Sequence, residues 1–222
     1  MLMKDKRNIV SYAALDTNVF ISMASVGTEI GPDCKKQGFY GKIRDMKRLA
    51  QAGHLKFVIT PSVLSEIARQ KREMNPKIRE KEIQFLKDYC YVYIPENEDD
   101  FVAETYKLAK TYIDSGVMKS EDKRFMDALI MAESSILGIN LISNNVRDFS
   151  YYMEDSYVDR VKAKRAKDIQ RINEKNGYMY HNTDGQKIVP RPYTSEEFLN
   201  LFRTGLFLGK PNIEKMVTRG SL

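Results

Sequence analysis

Apolar residues occur up to residue 150 in short runs that are separated by longer amphipathic segments. The first run covers residues 9–15, and shorter runs occupy 57–59, 91–94 and 141–143. Runs of this length, bounded by polar or turn-forming residues, are typical of strands that are buried on both faces. Strands that alternate with helices predict an α/β fold, in which a central parallel sheet has helices on both faces.

The amphipathic segments between these runs predict helices. Thr60-Pro61 is a strong start signal, with Thr60 as N-cap and Pro61 at the first helical position. The acidic patch at 96–100 suits another helix start, because the helix dipole favours negative charge there. Between Asn18 and Tyr40 the polar, glycine-containing sequence predicts a loop. The predicted helices cover 40–52, a segment from 61, 77–88, 96–113 and 120–137.

The chain changes character after residue 150. A basic helix is predicted over 157–175, and a hairpin over 178–190 that turns at Asp184-Gly185. Thr194 and Glu197 form a capping box that starts a short final helix, and the last ten residues are expected to be a loose tail. We therefore expect a core over 1–150, a helix–hairpin elaboration over 151–192, and a closing helix of the core with a tail over 193–222.

Composition narrows the chemistry. The net charge of +6 suits a polyanionic partner, although many proteins with this charge bind no nucleic acid. Cys34 and Cys90 stand alone, so neither a zinc site nor a disulfide framework is indicated. With His54 and His181 as the two histidines, a two-histidine ribonuclease mechanism is disfavoured. No apolar run reaches about 18 residues and no apolar leader is present, so we expect a cytoplasmic protein with no membrane contact.

Acidic and amide side chains follow the predicted strands at their carboxyl ends, which is where ligands bind in a parallel sheet. Asp16 closes the first strand, Glu66 lies in the second turn of a helix that follows a strand, and Asn145 comes just after the strand at 141–143. Asp127 lies on an apolar helix face, where a carboxylate is costly to bury without a partner. A hard cation such as Mg²⁺ or Mn²⁺, held by oxygen ligands, would be that partner and would activate water for attack on a phosphodiester.

Four segments, in the right order, resemble the motifs of PIN-domain nucleases. The resemblance covers roughly residues 9–150, and 193–202 resembles the closing helix of the family. Each motif alone is short, so the order of all four carries the resemblance. The segments are ALDTNVF (14–20), TPSVLSEI (60–67), DALIMA (127–132) and LISNNVRDF (141–149).

The resemblance assigns roles to particular residues. In the family, acidic residues at these motif positions hold one or two Mg²⁺ or Mn²⁺ ions, and neighbouring polar groups orient them by hydrogen bonds. Asn145 stands where many relatives have Asp, and Ser143 replaces the commoner Thr. The implied metal ligands are Asp16, Glu66, Asp127 and Asn145, with Asp148 as a further catalytic residue and with Asn18 and Ser143 as orienting residues.

The resemblance also implies an activity and partners. It implies a metal-dependent endoribonuclease that hydrolyses RNA and leaves a 5′-phosphate and a 3′-hydroxyl. Many relatives are VapC-type toxins, which an antitoxin holds inactive and which assemble as dimers. An antitoxin or another protein inhibitor and a homodimer are therefore implied partners. The segment 151–192 is longer than a compact toxin needs, which weakens the plain toxin interpretation.

Four of the site residues also have a simpler interpretation, and for Asp148 it is that of a turn residue. Asp16 suits a helix N-cap as well as a metal ligand. Glu66 fits a solvated helix position near Arg69 and Gln70. Asp127 is in range of an ion pair with a basic residue one turn earlier, either Lys123 or Arg124.

The predicted helix at 157–175 carries a separate hypothesis. Basic residues recur along it at intervals of three or four, which places them on one face where they would contact an RNA backbone. The alternative is a solvated face above an apolar stripe that packs on the body of the protein. The basic residues are Arg160, Lys164, Lys167, Arg171 and Lys175, and the apolar ones are Val158, Val161, Ile169 and Ile172. Tyr178 and Tyr180 in the hairpin would either stack on bases or pack in the fold.

Two other functions stay open at this point. The neutral Asn145 keeps open a PIN-like module that has lost cleavage and binds RNA or protein. A different Mg²⁺-dependent phosphotransferase or phosphatase ranks third. Asp16-Thr17-Asn18 lacks the second aspartate of haloacid-dehalogenase-like phosphatases, and the sequence has no glycine-rich phosphate loop.

Overall fold

The computed structural model describes residues 10–26, 37–70, 76–118, 122–145, 155–181, 185–203 and 216–218. Their strands are β1 (Ser11–Leu15), β2 (Leu55–Ile59), β3 (Cys90–Tyr93), β4 (Asn140–Ile142), β5 (Tyr180–His181), β6 (Lys187–Ile188), β7 (Pro192–Tyr193) and β8 (Met216–Thr218). Their helices are α1 (Thr17–Ser25), α2 (Gln37–Gln51), α3 (Pro61–Gln70), α4 (Pro76–Tyr89), α5 (Glu98–Asp114), α6 (Asp122–Ile136), α7 (Asp155–Lys175) and α8 (Ser195–Arg203).

The main sheet has the strand order β7-β4-β1-β2-β3-β8. The first five of these strands run parallel, and β8 pairs antiparallel with β3 at the edge. β1 lies in the middle, and its Ala13, Ala14 and Leu15 are fully buried. Small and branched apolar residues suit such a strand because helices cover both faces of a parallel sheet. The α/β fold predicted from the sequence is confirmed.

The order of the sheet brings the ends of β1 and β4 together. Ala13, Ala14 and Leu15 pair in register with Asn140, Leu141 and Ile142. Because the two strands are parallel, the residues that follow Leu15 and Ile142 meet at the same edge of the sheet. Residues that are 127 positions apart in the sequence thereby become neighbours.

Three elements differ from the sequence prediction. Thr17–Ser25 is a helix rather than part of a loop, and it buries Val19 and Phe20 against the sheet. Pro192–Tyr193 is a strand beside β4, so part of the chain after residue 150 extends the main sheet. The tail was expected to be loose, but Met216–Thr218 pairs with β3. Strands of two or three residues give too short a pattern for the sequence to reveal them.

The helix–hairpin elaboration packs on the body of the protein through buried polar groups. Tyr112 of α5 donates a hydrogen bond to Asn173 of α7, and both contact the Ser135 hydroxyl of α6. The Asn173 amide also donates to the Pro190 carbonyl at 2.7 Å. Buried polar groups need such partners, so these hydrogen bonds fix α7 and the segment before β7 against α5 and α6.

Tyr178 and Tyr180 are packing residues in this structure. The Tyr180 ring lies against Gly138, where an added Cβ would come within 2.8 Å of it, and its hydroxyl donates to the Ile136 carbonyl. Gly138 also has a φ of 71°, which favours glycine on backbone grounds. The Tyr178 hydroxyl donates to Glu104. Among the described residues, no helix is long and apolar enough to span a membrane.

Candidate active site

The end of β1 is joined to the end of β4 by a side chain. Ser143 Oγ donates to Asp16 Oδ2 over 2.6 Å, and Asp16 is only 4% exposed. The Asp16 backbone amide donates to the Ile142 carbonyl, which continues the strand pairing to this point. Ser143 Oγ also accepts from the Asn145 backbone amide at 3.1 Å, so the same hydroxyl orients the loop after β4. A buried carboxylate is thus held in one orientation by the neighbouring strand.

Asp16 does not use its side chain to cap α1. It occupies the N-cap position with an extended backbone, and its carbonyl accepts from the amides of Val19 and Phe20. Its carboxylate makes no capping hydrogen bond with that helix. Asp16 is therefore the N-cap residue of α1, as the simpler interpretation expected, but its carboxylate contacts Ser143 instead of capping the helix.

Glu66 of α3 lies beside the start of α1. The Thr17 hydroxyl donates to Glu66 Oε2, and Thr17 directly follows Asp16 in the chain. Glu66 is half-buried, so the interpretation of a freely solvated carboxylate does not describe it. Thr17 is not among the site residues predicted from the sequence. Its position next to the aspartate of the first motif was the available signal.

Glu133 of α6 is an acidic residue near this site that is not among those predicted from the sequence. It is 3% exposed, and its carboxylate accepts from the Ser62 amide at 3.1 Å and from the Ser62 hydroxyl at 2.8 Å. Ser62 lies in the first turn of α3, where amides have no partner within the helix. Burial raises the pKa of Glu133, and the hydrogen bonds from Ser62 oppose that rise without cancelling it. Glu133 therefore stabilises the beginning of the helix that carries Glu66.

Asp127 is half-buried on α6, which packs against α3 and α5. Where α6 meets the start of α3, the carboxylate that bridges them is Glu133, six residues further along. Within the described ranges, no three Asp, Glu, His or Cys side chains are grouped closely enough to hold a metal ion together. Asp16, Glu66 and Asp127 are thus not assembled into one group of three carboxylates. Asp148 lies outside the described residues, and Asn145 is half-buried.

The oxygen ligands beside the carboxyl end of β1 still fit a hard divalent cation. Asp16 and Glu66 supply carboxylate oxygens, and the hydroxyls of Ser143 and Thr17 orient them. Mg²⁺ prefers oxygen ligands and usually keeps several waters, with one or two carboxylates and a substrate phosphate completing its shell. A pair of oriented carboxylates is therefore compatible with Mg²⁺ or Mn²⁺, although it is smaller than the predicted cluster.

The remaining predicted residues are more exposed. Asn18 lies on the exposed side of α1, and the hydroxyls that reach the two carboxylates belong to Ser143 and Thr17. On α7, Lys167, Arg171 and Lys175 are exposed, while Ile169 is buried below them. Arg171 contacts Asp168 at 3.3 Å. The side chains of Arg160 and Lys164 lie outside the described part of the chain.

Comparison with known proteins gave one kind of match. No family model matches the chain, and no curated protein matches it. Among solved structures, it is similar to VapBC2 from Rickettsia felis bound to a DNA fragment from its promoter. That match has 17% sequence identity and a TM-score of 0.44, and it covers 61% of this chain and 89% of the other.

Proposed function

We propose that this protein is a metal-dependent endoribonuclease of the PIN-domain type. The observation that carries the proposal is the buried Asp16 carboxylate at the end of the central strand, oriented by Ser143 from the next strand. The four sequence motifs support it, because Asp16, Glu66 and Ser143 all belong to them. Carboxylate oxygens held in a fixed position are the ligands that a hard divalent cation prefers.

The proposed ligands are Asp16 and Glu66, with Asp127, Asn145 and Asp148 completing the oxygen donors as the motifs imply. When bound, Mg²⁺ or Mn²⁺ would supply Lewis acidity at the phosphodiester and stabilise charge on the leaving oxygen. Ser143 and Thr17 hold the two carboxylates in place through hydrogen bonds, as groups that surround metal ligands commonly do. The exposed basic side chains of α7 would position the RNA backbone without selecting its sequence.

The test is cleavage of a mixed pool of single-stranded RNA with Mn²⁺, Mg²⁺ or EDTA. Asp16→Asn and Glu66→Gln each keep the size of the side chain and remove its charge. We expect metal-dependent cleavage by the unaltered protein and a loss of about a hundredfold or more in each variant, since charge stabilisation by the metal is worth several kcal/mol. The products should carry a 5′-phosphate.

Matched controls separate a local effect from a general one. Asp114→Asn and Glu80→Gln make the same chemical changes at exposed positions of α5 and α4 and should leave cleavage unchanged. Cleavage that persists in EDTA, or in both Asp16→Asn and Glu66→Gln, would contradict the proposal. An intact unfolding transition in each variant shows that the lost activity is not a loss of fold.

The second candidate is a PIN-like module that binds RNA or a protein without cutting. Two observations favour it: the neutral Asn145, and the described residues' lack of a group of three metal-binding side chains. Titration with Mn²⁺ distinguishes the two functions. Mn²⁺ binding that is abolished by Asp16→Asn supports the nuclease. If the unaltered protein neither binds Mn²⁺ nor cuts RNA, the result supports the binding module.

A further inference from the structure

A cleft of about 350 Å³ lies beside β7, at the edge of the main sheet. Volumes of roughly 300–1,000 Å³ are usual for ligand sites. Five elements contribute to the cleft: β4, α7, β6, the β7 segment and α8. The residues that line it include Asn140, Lys167, Gln170, Lys187, Arg191 and Tyr193.

The lining of this cleft is positively charged. It includes Lys167, Lys187 and Arg191, and none of the lining residues that the structure describes is acidic. Lys187 forms an ion pair with Glu174 on α7, so its charge is partly balanced. Lys167 and Arg191 form no ion pair with a carboxylate in the part of the chain that the structure describes. The cleft therefore favours an anion.

Arg191 is held in place before any ligand arrives. Its backbone amide donates to Asn140 Oδ1 at 3.2 Å, and its carbonyl accepts from the Leu141 amide at 3.3 Å. Its guanidinium lies over the Tyr193 ring, 4.2 Å from the centroid. A planar guanidinium fixed in this way loses little entropy when it forms paired hydrogen bonds with phosphate oxygens. The amides of Asn140 and Gln170 add polar groups to the same cleft.

The cleft and the candidate active site share one pair of strands. Asn140 begins β4 and Ser143 follows its end, which at about 3.3 Å per residue places them roughly 10 Å apart along the strand. On the neighbouring strand, the Tyr193 carbonyl accepts from the Ser143 amide at 2.9 Å. A single extended polyanion is long enough to contact both places.

We propose that this cleft binds the sugar–phosphate backbone of single-stranded RNA, through Lys167, Lys187 and Arg191. The cleft would be a second place of contact with the RNA that the candidate active site cuts, so this inference rests on the proposed function. Lys167 belongs to the basic stripe predicted on α7. Lys187 and Arg191 come from outside that helix. Together with Lys167 they line a cleft, whereas the stripe alone would be an exposed helix face.

The test measures binding of a short fluorescent oligouridylate by anisotropy, in EDTA, between about 50 and 200 mM salt. EDTA separates binding from cleavage. The variant is Lys167→Gln/Arg191→Gln, and the matched control, Lys107→Gln/Lys110→Gln, removes the same charge from exposed positions of α5. We expect at least a tenfold loss of affinity in the cleft variant, because it removes two charged groups that hydrogen-bond phosphate oxygens. Its plot of log affinity against log salt should be shallower by about 1.4, or about 0.7 for each lost phosphate contact.

Three results would overturn the cleft proposal without deciding whether the protein is a nuclease. They are an equal loss in the cleft and control variants, an unaltered protein that does not bind the oligouridylate, and equally effective competition by an acidic peptide of the same charge. If Lys167→Gln/Arg191→Gln fails to fold, Lys167→Gln/Lys187→Gln replaces it, because both lysines are exposed. Loss of cleavage in Asp16→Asn with unchanged RNA affinity would keep the two proposals distinct.

Discussion

Glu133 of α6 accepts hydrogen bonds from both the backbone amide and the hydroxyl of Ser62 at the start of α3. The two residues are 71 positions apart in the sequence. Their contact joins the helix that carries Asp127 to the helix that carries Glu66. A carboxylate at a helix N-terminus is favourable for the dipole and for the unpaired amides, yet burial opposes its charge. The contribution of Glu133 to the stability of the fold therefore depends on whether its carboxyl group is protonated.

Glu133→Ala is expected to lower the free energy of unfolding by about 1–3 kcal/mol, because the Ser62 amide and hydroxyl lose their acceptor in a buried place. Glu133→Gln keeps a carbonyl oxygen to accept from Ser62 and should lose less. Urea unfolding measures both. A Glu133→Ala protein as stable as the unaltered one would show that the contact contributes nothing to the fold.

Stability should also depend on pH through the same residue. The folded pKa of Glu133 lies above its ordinary value of 4.5. The stabilisation from its protonation is therefore complete below about pH 4.5 and is lost as the pH rises through the folded pKa. Relative to Glu133→Gln, the unaltered protein should become less stable as the pH is raised from 4.5. A constant difference between the two proteins across this range would contradict the raised pKa.

Ser143→Ala removes the hydroxyl that donates to Asp16 and accepts from Asn145. We expect a loss of about 1–3 kcal/mol in the free energy of unfolding, since a buried carboxylate loses a hydrogen bond. If the proposed function is right, Mn²⁺ affinity should fall about 10–100-fold as well. Ser143→Thr keeps the hydroxyl and is the control, and it should restore both quantities. Urea unfolding and Mn²⁺ titration measure them separately.

Tyr112→Phe removes one hydroxyl from the buried group that joins α5, α6 and α7. The loss leaves Asn173 and Ser135 with one partner fewer, and it should cost about 1–3 kcal/mol of stability. The remaining hydrogen bonds of Asn173 still connect α7 to the core, so the variant should unfold in a single transition. Thr111→Ala, which removes an exposed hydroxyl of the same helix, is the control and should change stability by no more than about 0.5 kcal/mol.

Amide hydrogen exchange tests the same contact by a second route. The amides of α7 around Asn173 should be protected nearly as well as those of β1, since they open with the core. Fast exchange in α7 beside slow exchange in β1 would mean that the helix is an independent unit. That result would also remove the rigid side of the proposed RNA cleft, to which Lys167 and Gln170 belong.

The sequence by itself determined the α/β class, the strands near β1 to β4 and most helix bounds. Those features follow from apolar spacing and from start signals, which are local properties of the chain. It also named Asp16, Glu66 and Ser143 as site residues, because they lie within recognisable motifs. It did not single out Thr17 or Glu133, and it left Asp16 open between a helix cap and a metal ligand.

Only the tertiary structure showed the contacts of Thr17 and Glu133 and the direction in which the Asp16 carboxylate is turned. The hydrogen bonds from Thr17 to Glu66, from Ser62 to Glu133 and from Ser143 to Asp16 span 49, 71 and 127 residues. No local pattern encodes contacts over such separations, since they depend on which strands become neighbours and on how the helices pack across them. The short strand β7 shows the same thing: two residues carry no periodicity, yet beside β4 they extend the sheet and form one wall of the basic cleft.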